Sequence, residues 1–275
     1  MIATYNRSNL LNKAIKSVTA QTFEDWELII ADDGSTDDTE KISRKWTEKD
    51  KRIKYIKAPH FGRIARISNF GLRNAQGEYI AILDDDDCWA DDDKLKKQVK
   101  FLDDNRDYVG CGGGLILVDE KKCELGRFFK PREDEEMRTN ALIANPMANS
   151  TTLFRAMAAR DVGFYDETLP EFADWDFWLK MGLVGKLYNF EEYFTYYLMW
   201  EKGSSFSKQK GTAISALKIV PRYRGKYPRY HRAISVVYLY NVYARIPESI
   251  KKVFNPLLSK FKKLIFSSRS AHPFE

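Results

Sequence analysis

Over the first hundred positions, apolar residues fall alternately into helix-spaced stripes and short continuous runs. Behind Ser8, a residue suited to cap a helix, Leu11, Ala14, Ile15 and Val18 recur at three- and four-residue steps and predict a helix with one buried face. Trp26 to Ala31 is an apolar run of strand length, Gly34-Ser35-Thr36-Asp37 a turn, and a helix carrying Ile42 and Trp46 follows. The alternation continues with a strand at Ile53-Lys54-Tyr55-Ile56, a glycine-bounded helix from Ile64 to Ala75, a strand from Glu78 to Leu83, and a helix faced by Leu95, Val99 and Leu102. Only Met1-Ile2-Ala3 precede Thr4, so the chain opens inside its first strand. This alternation predicts an α/β fold with a mostly parallel central sheet and right-handed crossovers. Ligands of such sheets bind beyond the carboxyl ends of the strands. Three of those ends are polar, Thr4 to Arg7, Asp32 to Ser35 and Asp84 to Asp87, and they converge on one edge.

The third end sets the chemical problem. Ile82-Leu83 runs straight into Asp84-Asp85-Asp86-Asp87, and carboxylates so close raise each other's cost of ionisation. Asp91, Asp92 and Asp93 are explained by the next helix, whose first turn favours negative charge. Asp84 to Asp87 instead suit Mn²⁺ or Mg²⁺, hard cations that recruit one or two carboxylates together with substrate phosphates. Phosphatases that use the first Asp of a strand-end pair as nucleophile, and nucleotidyltransferases, share the pattern.

Beyond Leu115 the pattern is less regular: Gly112-Gly113-Gly114, a strand at Asn149 to Phe154, and a helix opening at Asp174. Trp175 and Trp178 suit either the core or the wall of an acceptor groove. His60, His231 and His272 are isolated and form no catalytic arrangement. The 275 residues are 44% hydrophobic with three cysteines, odd in number and lacking metal-ligand spacing, which fits a folded protein of a reducing compartment. No apolar run is long enough to span a bilayer, and no secretory signal pattern is present. Net charge is +6, unevenly spread: from Phe206 to Glu275 fifteen Lys and Arg face two acids. There Ile250, Val253, Phe254, Leu257, Leu258, Phe261, Leu264 and Ile265 form an apolar stripe flanked by lysines, interrupted at Asn255-Pro256. A basic amphipathic segment of this kind lies on an anionic membrane surface or covers the body as a packed helix. Tyr223, Arg224, Tyr227, Arg229, Tyr230 and Arg232 suit a headgroup region or a phosphorylated acceptor in the same way. Nucleic acid is not indicated, since no binding motif accompanies the charge.

Several stretches together resemble one family. Thr4-Tyr5-Asn6-Arg7, Asp32-Asp33-Gly34-Ser35-Thr36-Asp37, Gly62 to Asn69 with Gly71 and Gly77-Glu78-Tyr79-Ile80, Leu83 to Asp87, Val162 to Glu167 and Asp174 to Leu179 are similar, in order, to motifs of the inverting family 2 glycosyltransferases with a GT-A fold. The resemblance covers about residues 1–205, implying a nucleotide-binding half (1–115) and an acceptor half (116–205), with 206–275 a basic helical extension. It implies that Thr4 and Asp33 contact the donor's base, that Arg66 (or Arg63) holds base or diphosphate, that Asp84 and Asp85 face ribose and metal, that Asp86 ligates Mn²⁺ or Mg²⁺, and that Asp174 is the general base. The implied reaction moves a sugar from a nucleoside diphosphate, a UDP-sugar foremost, to a glycan or lipid-linked acceptor at the cytoplasmic membrane face, in cell-surface glycan synthesis. Three departures stand out: Ala173 replaces a Glu before the base, the Gly62–Asn69 spacing is one residue longer, and Met199-Trp200-Glu201 stands where members often carry a His near the metal. The lost Glu leaves a non-catalytic, membrane-bound scaffold of the same fold as a further reading.

Overall fold

The computed structural model describes residues 1–200 and 209–246. In chain order the elements are β1 (Ile2–Thr4), α1 (Ser8–Thr19), β2 (Leu28–Asp32), α2 (Thr39–Lys49), β3 (Ile53–Lys57), α3 (Ile64–Arg73), β4 (Tyr79–Ala81), β5 (Cys88–Trp89), α4 (Lys94–Asp104), β6 (Tyr108–Val118), β7 (Glu124–Phe128), α5 (Asp134–Asn140), β8 (Leu153–Arg155), α6 (Ala156–Asp161), α7 (Ala173–Val184), β9 (Lys186–Leu198), α8 (Gln209–Arg222) and α9 (Tyr230–Arg245). β1, β2 and β3 pair in parallel. Two backbone hydrogen bonds, Met1 N to Ala81 O at 2.8 Å and Leu83 N to Met1 O at 3.1 Å, lay β4 beside β1. From β4 the order runs β4-β8-β6-β9-β5, antiparallel except for the long β6–β9 pair. The first three strands thus form a parallel sheet, and the second half is mixed.

Alternate residues of the β4 segment enter different cores, as the two-residue repeat of a strand requires. Ile80 and Ile82 join a core under α3, α6 and α7, while Leu83 joins Ile2, Leu11, Ile15 and Leu95 under α1 and α4. Asp91 to Asp93 precede α4 instead of lying in its first turn, which holds no acidic residue; Asp93 occupies the N-cap position without a side-chain capping bond. The strand expected at 149–154 is instead a 3₁₀ turn, Asn149–Thr151, followed by β8. Thr151 and Thr152 donate their hydroxyls to the carbonyls of Ala148 and Asn149, at 2.7 Å each, and such local bonds compete with a ladder. Gly113 and Gly114 leave room on β6 for rings of β9 and of the segment after β7: a Cβ would enter Phe194 at the first and Phe129 and Tyr193 at the second.

Trp175 and Trp178 resolve as core. Trp175 donates its indole N–H to Ala141 O at 2.7 Å, and Trp178 is fully buried edge-on to Phe154 and Phe177. Trp178→Ala is expected to cost about 3–5 kcal/mol, read as a lower denaturant midpoint. The same core takes in Ile219, Val220, Tyr223, Tyr227 and Val237 from α8, α9 and the turn between them. Tyr223 and Tyr227 therefore do not face a headgroup region: their hydroxyls donate to Asp176 Oδ1 (2.9 Å) and Leu179 O (2.7 Å). Arg224, Arg229 and Arg232 remain exposed. Glu201 and the stripe from Ile250 to Ile265 lie outside the described residues.

Candidate active site

The four consecutive carboxylates have four different environments. Asp85 is buried, accepting the Thr4 hydroxyl at 2.7 Å and Arg7 Nη1 at 2.8 Å. The same Arg7 nitrogen reaches Asp86 Oδ2 at 3.0 Å. Trp200 donates its indole N–H to that oxygen at 3.2 Å and lies under the guanidinium, 5.2 Å from ring centre to Cζ. Asp87 is buried and fully engaged, by the Ser150 hydroxyl and by Leu198 N at 3.1 Å. Asp84 takes a longer bond from Asn149 Nδ2, 3.4 Å, while its own N–H donates to Ser150 Oγ at 3.2 Å. Burial, then the charges of Asp86 and Asp85, pushes Asp84 up to about 7. Burial lifts Asp85 to about 6 against the opposing pull of Arg7. Asp87 is held well above the usual carboxylate range, again chiefly by burial.

At the neighbouring strand end, Asp32 accepts the N–H and hydroxyl of Ser35 and the Tyr55 hydroxyl, an internal brace for the turn. Asp33 accepts Phe61 N at 2.7 Å and Gly62 N at 3.0 Å, with His60 Nδ1 3.1 Å away. Tyr5 stacks on His60, centroids 4.3 Å apart. Arg63 caps α3, and Arg66, half exposed, turns toward Glu167 at 3.7 Å.

Asp174 sits in the first turn of α7 after Phe172, whose left-handed backbone (φ 57°) redirects the chain. Its Oδ2 accepts Asn145 Nδ2 at 2.8 Å. Burial raises Asp174 above the usual carboxylate range, opposed by helix amides and by Lys130. Asp174 and Asp84 line one cavity of about 520 Å³ together with Lys130, Asn145, Asn149 and Tyr165. A hollow of about 650 Å³ near Met1, Trp26 and Tyr79 holds none of Asp84 to Asp87 nor Asp174, so its size carries no chemical weight.

The loop from Asn145 to Thr152 was not singled out for the site by sequence, yet it organises it. Asn145 holds Asp174, Asn149 holds Asp84, and Ser150 holds Asp87 while its carbonyl receives Trp89 Nε1. Arg7 was visible as the last residue of an N-terminal motif, but only the fold shows it bridging Asp85 and Asp86. Among the described residues no cluster of three or more His, Cys, Asp or Glu forms a protein cage for a metal. The donor set still fits Mg²⁺ or Mn²⁺ shared with a ligand: Asp86 is a hard oxygen donor, less deeply buried than Asp85, and substrate phosphates normally complete such shells. Trp200, where a His was expected, has no lone pair for a metal and serves Asp86 as a hydrogen-bond donor.

The family model for "Glycosyl transferase family 2" matches residues 1–163. The chain belongs to glycosyltransferase family 2. The putative glycosyltransferase EpsE of Bacillus subtilis is 30% identical over 216 residues, covering 77% of this chain and 76% of that one. An uncharacterized glycosyltransferase of Rickettsia felis is 32% identical over 199 residues, of which this chain spans only 32% of the relative's length. Among solved structures, S. aureus TarS 1-349 in complex with UDP-GlcNAc superposes with TM-score 0.64 at 18% identity, covering 86% of this chain and 69% of that one. The mannosyltransferase PcManGT from Pyrobaculum calidifontis, in complex with GDP-Man and Mn²⁺, gives 0.63 at 16% identity, covering 88% and 70%. These distant likenesses establish the fold: family 2 membership comes here with the α/β GT-A architecture and its parallel N-terminal sheet.

Proposed function

We propose that this chain transfers a sugar from a nucleoside diphosphate, a UDP-sugar foremost, to a glycan or lipid-linked acceptor, with inversion and with Mn²⁺ or Mg²⁺. The observation that carries this is the shared cavity: Asp84 of the strand-end cluster and, from a separate element, the half-buried carboxylate Asp174 line one hollow. Asp86 would hold the cation, with Asp84 and Asp85 toward ribose and metal; the bound ion would neutralise charge developing on the leaving diphosphate. Thr4 and Asp33 would meet the base, Tyr5 would offer a ring face beside them, and Arg66 or Arg63 would reach base or diphosphate. Asp174 would take the proton of the acceptor hydroxyl as it attacks the anomeric carbon, and a single displacement inverts. Asn145 fixes that carboxylate's orientation. The complexes of TarS with UDP-GlcNAc and of PcManGT with GDP-Man and Mn²⁺ support a nucleotide-sugar donor and a divalent ion. A thermal-shift panel of nucleotide sugars tests this reading: at least one UDP-sugar should raise Tm with Mn²⁺ and not without it, and no shift from any member contradicts it.

The reading extends to peripheral attachment at the cytoplasmic membrane face. No helix among the described residues is long and apolar enough to cross a membrane. Tyr238, Leu239 and Val242 are exposed on α9, just ahead of the basic apolar stripe. Deleting residues 247–275 should release the protein from anionic liposomes; unchanged co-sedimentation would refute the attachment.

A further inference from the structure

One cation in the cavity is left unused by the proposed reaction. Lys130, two residues beyond β7, lines the same hollow as Asp174 and Asp84. Its ammonium makes no hydrogen bond or ion pair with any described residue, and its recorded neighbour is the Phe128 ring, 5.3 Å to the centroid. Lys130 is half-buried, and the charge of Asp174 opposes its desolvation without the two forming an ion pair. A charge partly removed from water is costly unless it is paired. Lys130 and Asp174 thus line one hollow as opposite charges that do not pair. The hollow's other carboxylates are Asp84 and Glu171, and neither pairs with Lys130; much of the remaining wall is apolar, with Leu115, Leu117, Met147 and Met199. Asp84 is engaged by Asn149 on the donor side.

We infer that Lys130 receives a carboxylate or phosphate borne by the acceptor, next to the hydroxyl that Asp174 deprotonates. The acceptor is an anionic sugar or sugar phosphate. This rests on the glycosyltransferase reading and names the substrate class of its second subsite. The placement beside the base, away from the Arg7–Asp86 contact, assigns the anion to the acceptor rather than to the donor sugar.

The test titrates protein loaded with UDP and Mn²⁺ with methyl glucoside, methyl glucuronide and glucose 1-phosphate. It compares wild type with Lys130→Met and Lys130→Arg by calorimetry. Wild type should bind an anionic member at least about 10-fold more tightly than the neutral one, as a charge-assisted bond implies. Lys130→Met should erase the preference, Lys130→Arg should keep it, and UDP affinity should be the same in all three. Equal or absent binding of the three probes to wild type overturns the inference while leaving the donor site standing. Loss of UDP binding in wild type fails the underlying reading instead. A preference for UDP-glucuronate over UDP-glucose that depends on Lys130, with none among the acceptors, moves the anion to the donor and overturns the assignment. An unchanged acceptor preference in Lys130→Met, with only the acid limb of the pH–rate profile displaced, reduces Lys130 to tuning Asp174 and overturns it too.

Discussion

Asp174→Asn is expected to lower kcat by about 10²- to 10⁴-fold while leaving the affinity for UDP and Mn²⁺ unchanged. The substitution keeps shape and an oxygen for Asn145 to bond, so what is lost is the ability to accept a proton. Because Asp174 is lifted by burial, the active, deprotonated form should disappear at a higher pH than for an ordinary carboxylate. Activity should fall as pH drops through that raised value, with the acid limb of the wild-type profile above the usual aspartate range of about 3.9. Steady-state kinetics with calorimetry on the same samples checks both parts. A variant that loses donor binding along with turnover would place Asp174 in the donor site rather than at the acceptor.

Asp86→Ala is expected to remove metal-dependent UDP binding, at least about 100-fold by calorimetry with and without Mn²⁺. Asp86 Oδ2 is the common acceptor of Arg7 and Trp200, so the Trp200 indole loses its acceptor while Arg7 keeps Asp85. Asp87→Asn should behave differently, because Asp87 is turned inward onto Ser150 and Leu198 N: its loss should show first in Tm. The cluster also predicts a pH effect. Asp84 and Asp85 keep protons up to about 7 and 6 in the folded chain, well above a free aspartate. Folding therefore takes up protons, and the stability these groups contribute below about pH 4 is lost as pH rises through 6 and 7. Mn²⁺ at Asp86 offsets the exposed negative charge, so the Tm gained from Mn²⁺ should be larger near pH 8 than near pH 5.

Much of the N-terminal half was legible because local pattern and fold agree there. The helix behind Ser8, the strand ending at Asp32 and the helix from Ile64 follow from apolar spacing, and each strand end carries its polar residues within a few positions. The motif resemblance had already grouped Thr4, Asp33 and Asp84 to Asp86 before any geometry. Less legible was everything that depends on distant chain. Asn145 and Asn149 are ordinary loop residues by sequence, and their value lies in reaching carboxylates 29 and 65 positions away. Tyr223 and Tyr227 sit among arginines in the sequence and so resemble a surface, whereas Asp176 and Leu179 supply buried acceptors that no local window contains. The 3₁₀ turn at Asn149 defeated a strand pattern because its threonines bond their own backbone.

The decisive observation is the anomeric configuration of the first product. An α-linked UDP-sugar that passes the thermal-shift panel is incubated with the protein, Mn²⁺ and either acceptor or water, and proton NMR follows the new anomeric signal from the earliest time points. A β product that forms first, requires the divalent ion and vanishes in Asp174→Asn is the predicted result. An α product formed first, or turnover indifferent to both the metal and Asp174, would contradict single displacement at this site.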